Sequence, residues 1–408
     1  MRFSVVLAGL LGALIGFGGT IALAISALQA MGADQAQVSS GVTAICLSLA
    51  ATTAFLSIRY RQPIVTAWSS AGCALLAATH GVDIHQAVGM FLVTGLLVLI
   101  TGAIRPVANL VLKIPPTLAA AMLAGVLLHF NIQIFQSAVG APALVYPLVA
   151  AFFVFRLFNP ALAVVLVLAL GVVLSWALGL IAPIETTAQL STVGWISPSL
   201  DLPMLIGIGL PFYLVSMASQ NLAGFAVLRT YGYVPPSRPI LGILGVASLL
   251  SAPFAASTTN LAAITASICA GHESHPDPQK RWLSGPFYAL GYVVFGAFGA
   301  SLVSLFGAMP PALVAAVAGL ALFGPLTNAF STALSRENER LPAILTFVIT
   351  ASGITIFTVS SAFWGLLAGI VVIGLQHVEQ RVRRRSPIPQ PEIPQPGSTR
   401  PDADRPAR

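Results

Sequence analysis

From residue 4 to residue 378 the chain is a succession of apolar segments about 16–27 residues long, with its charges confined to the gaps. Arg156 is an exception, inside the segment 143–158 and two residues from its end. About 20 apolar residues let a helix cross the hydrocarbon of a bilayer, where every backbone group must bond within its own segment. The segments fall near 4–30, 38–58, 63–79, 85–104, 115–130, 143–158, 160–182, 203–228, 238–253, 256–271, 282–306, 310–331, 341–358 and 360–378. This pattern predicts an all-α polytopic membrane protein with 14 transmembrane spans. Composition agrees: 57% of residues are hydrophobic and 8% charged, where a soluble chain carries about one-quarter charged residues. Residues 1–30 start basic and end in an AxA-like stretch, but their apolar run is too long for a cleaved signal, so they form the first span.

Several function classes fall away. A net charge of +7 and a pI near 9.8 could point to nucleic acid. The basic residues, however, sit in short loops and at the C-terminus with no aromatic-interleaved patch. Cys46, Cys73 and Cys269 all lie in apolar segments without metal spacing and read as small packing residues. The loop Gly271–Lys280 carries His272, Glu273, His275 and Asp277, but its spacing and prolines mark a solvated connector rather than a metal site. There is no GxxxxGK[ST] loop for ATP-driven transport, and no acidic metal motif or nucleophile–base pair for an enzyme. The reading implies neither catalysis nor a cofactor.

Charge sorting sets the topology. Alternate loops hold Arg59/Arg61, Arg105/Lys113, Arg156, Arg229/Arg238, Lys280/Arg281 and Arg336/Arg340, and Arg2 and the run Arg381–Arg385 fall on the same side. The opposite loops hold Asp34, Asp83, Glu185 and Asp201, with no Lys or Arg. The excess of positive charge on cytoplasmic loops puts both termini in the cytoplasm, as in a multi-pass protein of a bacterial-type inner membrane.

An internal echo divides the chain. Ile114–Gly125 (IPPTLAAAMLAG) returns as Met309–Gly319 (MPPALVAAVAG) about 195 residues later, in the opposite orientation. Seven spans per half requires that inversion, and inverted repeats are a feature of secondary transporters whose site lies near the midplane. The expected boundaries are a first repeat over 1–182, an extracytoplasmic connector over 183–202, a second repeat over 203–380 and a disordered tail over 381–408.

The third span of each half departs from an ordinary helix. Pro63–Ser70 (PIVTAWSS) and Ser251–Asn260 (SAPFAASTTN) each place a proline, a short extended run and then hydroxyls or amides before a helix-like segment. Ser69/Ser70 and Thr258/Thr259/Asn260 are types that cap helix N-termini. A strand followed by a half-helix crosses the bilayer in few residues, because strands rise about 3.3 Å per residue and helices about 1.5 Å. Two such helix starts aimed at one point form an anion site without any basic side chain. Span 8 adds Pro211-Phe212-Tyr213, Ser216, Ser219, Gln220 and Asn221, and span 1 adds Phe17 and Gly18. The amides are costly in hydrocarbon unless bonded, so they should face the bundle interior. Phe17, Trp68, Phe212, Tyr213 and Phe254 are candidate stacking faces for an aromatic ligand. The expected substrate-binding set is Phe17, Gly18, Trp68, Ser69, Ser70, Tyr213, Gln220, Asn221, Ser257, Thr258, Thr259 and Asn260.

A site without carboxylates suits an anion. Importing one against an inside-negative potential costs about 2.3 kcal/mol per 100 mV, so a cation must compensate, and a proton is the simplest. The residues do not name its carrier: His129 is a candidate by residue type alone, and the substrate can equally bring the proton itself as a weak acid.

The stretches Arg61–Leu76 (RQPIVTAWSSAGCALL), Gly209–Gly224 (GLPFYLVSMASQNLAG), Ser251–Asn260 and Gly271–Trp282 (GHESHPDPQKRW) resemble the benzoate/proton symporter (BenE-type) family over essentially residues 1–380. That family is related to nucleobase and sulfate permeases with a seven-plus-seven inverted repeat. The resemblance implies a core domain (1–110 plus 203–308) moving as an elevator against a gate domain (111–182 plus 309–380). It implies import of benzoate or a similar aromatic carboxylate with protons, and by fold analogy a homodimer. In the nucleobase relatives two carboxylates serve substrate and proton; the matching positions here are Gln220 and Thr259, so that proton route is in doubt. The alternatives are a passive anion channel, or a permease for another small anion or a nucleobase.

Overall fold

The computed structural model describes residues 2–79, 81–104, 106, 115–160, 162–182, 190–356 and 359–385. It is a helical polytopic membrane protein. The first part contains α1 (Phe3–Gly18), α2 (Ile21–Ala30), α3 (Gln35–Tyr60), β1 (Thr66–Trp68), α4 (Ser70–Ala77) and α5 (Ile84–Ala103). After a gap come α6 (Pro116–Gly140), α7 (Pro142–Phe158) and α8 (Ala163–Ala177). The second part opens with α9, a helix over Leu202–Thr230, then α10 (Ser237–Ser251), β2 (Thr259–Leu261) and α11 (Ile264–Ala270). It closes with α12 (Ser284–Ala297), α13 (Gly299–Gly307), α14 (Pro311–Ala333), α15 (Arg340–Ala351), the strands β3 (Thr355–Ile356) and β4 (Val359–Ser360), and α16 (Ser361–Arg385).

Among the described residues seven helices are long and apolar enough to cross a membrane, eight if α12 and α13, bent by 63°, count as one. Three further apolar helices are shorter: Pro142–Phe158, Ala163–Ala177 and Ser361–Gln376. Most expected boundaries hold within a few residues, with two corrections. The segment placed at 115–130 continues to Gly140; Asn131 does not end it, because its Nδ2 donates to the Leu127 carbonyl within the helix. In the range 381–408, expected to be a tail, α16 runs on through Arg385, and the remainder lies outside the described residues.

The loops sort into two groups by contact. On the basic side, Ser4 bonds the Ser274 carbonyl, Tyr233 the Pro278 carbonyl and Arg238 the Gly102 and Ala103 carbonyls, while Arg61 lies over the Trp282 ring. On the other side Ser40 bonds Gly194 and Phe254, His85 bonds Ser197, and Gln35 bonds Ser304. The Gly271–Lys280 loop is held from within. Arg281, buried, donates to the carbonyls of His275, Ala270 and Pro276, and Asp277 accepts from the Gln279 N–H.

Helix contacts also fall into two sets. α1–α5 pack on α9–α13, with α5 against α10 and α3 against α12 as leading pairs. α6–α8 pack on α14–α16, led by α6 against α14. The seam between α5 and α10 is a backbone-to-backbone approach: a Cβ at Gly245 would lie 2.5 Å from the Leu99 nitrogen. Gly245→Leu therefore forces the two helices apart, and overpacking of this kind costs about 1–3 kcal/mol. A drop of several degrees in melting temperature in detergent is expected, with Gly242→Ala, whose Cβ meets open space, unchanged.

Candidate functional site

β1 and β2 pair antiparallel at the centre of the first helix set, with Thr66 opposite Leu261, Ala67 opposite Asn260 and Trp68 opposite Thr259. The two extended segments expected in the third span of each half are thus joined into one ladder. Backbone of this kind at membrane depth is tolerated where protein surrounds it. Here α3 lines one side with hydroxyls: Thr52 and Thr53 bond Thr66 Oγ1, Ser48 bonds Thr259 Oγ1, and Ser57 bonds the Ile64 carbonyl. From the other side Ser248 of α10 accepts from the Thr259 N–H, and Tyr288 of α12 donates to the Thr66 carbonyl.

Because the strands run antiparallel, the half-helices leave opposite ends of the ladder: α4 follows Trp68 and α11 follows Leu261. Ser69 caps α4, its Oγ accepting from the Gly72 N–H at 2.9 Å. The N–H groups of Ser70 and Ala71 have no protein acceptor among the described residues, although Ala71 is buried and Ser70 half-buried. Free donors at a helix start attract negative charge. Ser69→Ala removes the cap and is expected to cost about 1 kcal/mol, read as a fall of a few degrees in melting temperature.

The second half-helix corrects the sequence reading. Thr258, Thr259 and Asn260 do not cap it; Thr259 and Asn260 are strand residues, and α11 opens at Ile264 with Ala263 as an uncapped start. Cross-strand pairing with β1 keeps them extended. Asn260 turns its amide back to the Thr258 carbonyl and Oγ1.

α9 faces the crossing through a π-helical turn over Met217–Leu222. Such wide turns recur at functional sites, and this one carries the neighbours Gln220 and Asn221. Gln220 Nε2 lies 3.4 Å from Ser70 Oγ. Asn221 Oδ1 accepts from the Leu261 N–H, and its Nδ2 donates to Asn260 Oδ1, both at 2.9 Å. Half-buried Gln220 and Ser70 therefore sit beside the free N–H groups of α4, behind a fully buried Asn221–Asn260 support.

Other expected residues have different surroundings. Trp68 donates to Thr20 Oγ1 at the break between α1 and α2. Phe17 stacks on Phe295 with centroids 4.4 Å apart and meets Trp68 edge-on, so its ring is part of the core. Gly18 faces α8, where a Cβ would lie 3.6 Å from Val165. Tyr213 bonds Thr101 of α5. Ser257 lines a cavity of about 10 Å³ beside Trp68 and Cys73, room for about one water. The sequence reading missed Tyr288 and Tyr292, fully buried on α12, and the hydroxyl row of α3. Both carry a legible signal: polar groups recurring at helical spacing inside apolar segments.

The fold is a long helical bundle with a central strand pair between half-helices. Solved structures agree: the chain aligns with SLC26A9 at a TM-score of 0.63 and 14% identity, over 92% of this chain and 65% of that one, just under two-thirds of its length. It aligns with the transmembrane domain of the cyanobacterial bicarbonate transporter BicA at a TM-score of 0.58 and 14% identity, over 91% and 98%. The family model described as "Benzoate membrane transport protein" (BenE) matches residues 1–375. The chain is 36% identical over 364 residues to "Inner membrane protein YdcO" of Escherichia coli (strain K12), spanning 89% of this chain and 93% of that protein. It is 34% identical over 369 residues to "Benzoate membrane transport protein" of Acinetobacter baylyi, spanning 90% and 94%. The chain belongs to the BenE benzoate membrane transport family.

Proposed function

We propose that the chain imports benzoate or a similar small aromatic carboxylate together with protons, across a bacterial inner membrane. The observation that carries this reading is the start of α4: two N–H donors without acceptors, flanked by the Gln220 carboxamide and the Ser70 hydroxyl. A carboxylate fits those donors, and no side chain bonded at the crossing carries a negative charge to repel it. The names of the A. baylyi relative and of BicA, benzoate and bicarbonate, are of the same chemical kind.

Movement is by alternating access, with the core (1–110 and 203–308) sliding as an elevator against the gate (111–182 and 309–380). The two contact sets support that division. They also support 14 spans in two inverted repeats. Exchanging the seven segments of one half for those of the other turns the pair α3–α12 into α10–α5. The same exchange turns α15–α16 into α7–α8, and leaves α6–α14 and β1–β2 in place. The basic loops meet on one side, which supports cytoplasmic termini. A weak acid and its proton moving together avoid the electrical cost of carrying the anion alone.

The test is uptake of radiolabelled benzoate into proteoliposomes, with unlabelled benzoate, uracil or sulfate as competitors at two external pH values. Saturable uptake that rises with an inward proton gradient, and is blocked by benzoate alone, is expected. Large anion currents indifferent to the pH gradient identify a channel, and competition by uracil identifies a nucleobase permease.

A further inference from the structure

Away from the crossing, an open apolar groove of about 470 Å³ runs between α3, α5 and α10. Phe55 and Leu99 form two of its walls; Pro239, Gly242, Val246 and Leu250, three or four residues apart on one face of α10, form the third. One end of the groove is positive. Arg59 lies one helical turn beyond Phe55 on the same face of α3, with its guanidinium 5.4 Å from the centroid of the Tyr60 ring at that end of the helix. Arg238, adjoining Pro239, bonds the Gly102 and Ala103 carbonyls, one turn beyond Leu99. Both arginines are exposed, and among the described residues neither is paired with a carboxylate.

We propose that this groove holds an acyl chain of an anionic phospholipid whose phosphate lies between Arg59 and Arg238. A lipid tail is as apolar in the bilayer as in the groove, so burial of the tail gives little preference between lipids. Selection comes from the headgroup, because guanidinium binds phosphate through paired, charge-assisted hydrogen bonds. A zwitterionic headgroup offsets that attraction with its own ammonium. A second copy of the chain fits the groove poorly, since a two-fold contact here brings the Arg59/Arg238 pairs of both copies together.

Native mass spectrometry of the full-length protein, equilibrated with equal phosphatidylglycerol and phosphatidylethanolamine, tests this. A preference of roughly tenfold or more for phosphatidylglycerol is expected from two arginines at the surface. Arg59→Gln should lower the preference at least threefold, roughly the share of one such charge. Gly242→Leu, whose side chain enters open space, should fold and release the lipid whatever its headgroup. Equal retention of both lipids by the wild type overturns the proposal. So does undiminished phosphatidylglycerol on a folded Gly242→Leu variant, or a dimer that the same substitution splits.

Discussion

Gln220→Glu should reduce benzoate uptake at neutral pH by about two to three orders of magnitude while the protein stays folded. The change keeps shape and replaces a carboxamide 3.4 Å from Ser70 Oγ with a carboxylate. Two like charges about 4 Å apart repel by about 4 kcal/mol at the effective dielectric of a partly exposed protein site. The repulsion fades as the new carboxyl group takes up a proton, on lowering the pH from neutral towards about 5. Uptake should return over that interval. Gln220→Ala, with no titratable group, should lose about tenfold at every pH, the worth of one hydrogen bond to a charged partner. Wild-type uptake by Gln220→Glu at neutral pH would mean that the substrate binds elsewhere.

The second large effect is structural. Asn221→Leu removes the acceptor of the Leu261 N–H and the donor to Asn260 Oδ1, both fully buried. Each orphaned group costs about 1–3 kcal/mol, so the strand ladder should loosen by about 2–6 kcal/mol. A melting temperature lowered by ten degrees or so in detergent, with uptake lost, is the expected result. A normal melting temperature would show that the ladder is held without Asn221, by the α3 hydroxyls together with Ser248 and Tyr288.

The sequence made much of this legible, for physical reasons that differ between elements. Apolar length and the sorting of Lys and Arg placed the segments, because hydrocarbon penalises charge wherever it falls. Pro63 and the β-branched run after it marked β1, and Ser69 sits where its cap was expected. The second strand was harder. Thr258-Thr259-Asn260 reads as a cap by residue type, but pairing with Trp68 and Ala67, far away in the chain, makes Thr259 and Asn260 strand residues. The π-helical turn that brings both Gln220 and Asn221 to the crossing leaves no trace in hydrophobic period, since the helix is apolar on either side. Phe17 and Tyr213 were candidate ligand contacts by type, whereas Phe295 and Thr101 occupy their rings and hydroxyl.

In the site proposed here, the support behind the crossing is what would let so few polar groups suffice. Thr52, Thr53 and Tyr288 hold Thr66, and Ser48 and Ser248 hold Thr259, so the start of α4 is fixed before any ligand arrives. Donors held in place lose little freedom on binding, which is how neutral groups reach useful affinity for an anion.

The most direct test is a structure of the protein with a bromobenzoate bound, the bromine located by its anomalous signal. The carboxylate should lie within hydrogen-bonding distance of the Ser70 and Ala71 nitrogens, with the Gln220 amide beside it. Bromine density away from the crossing, with those two N–H groups still unoccupied, would contradict the account.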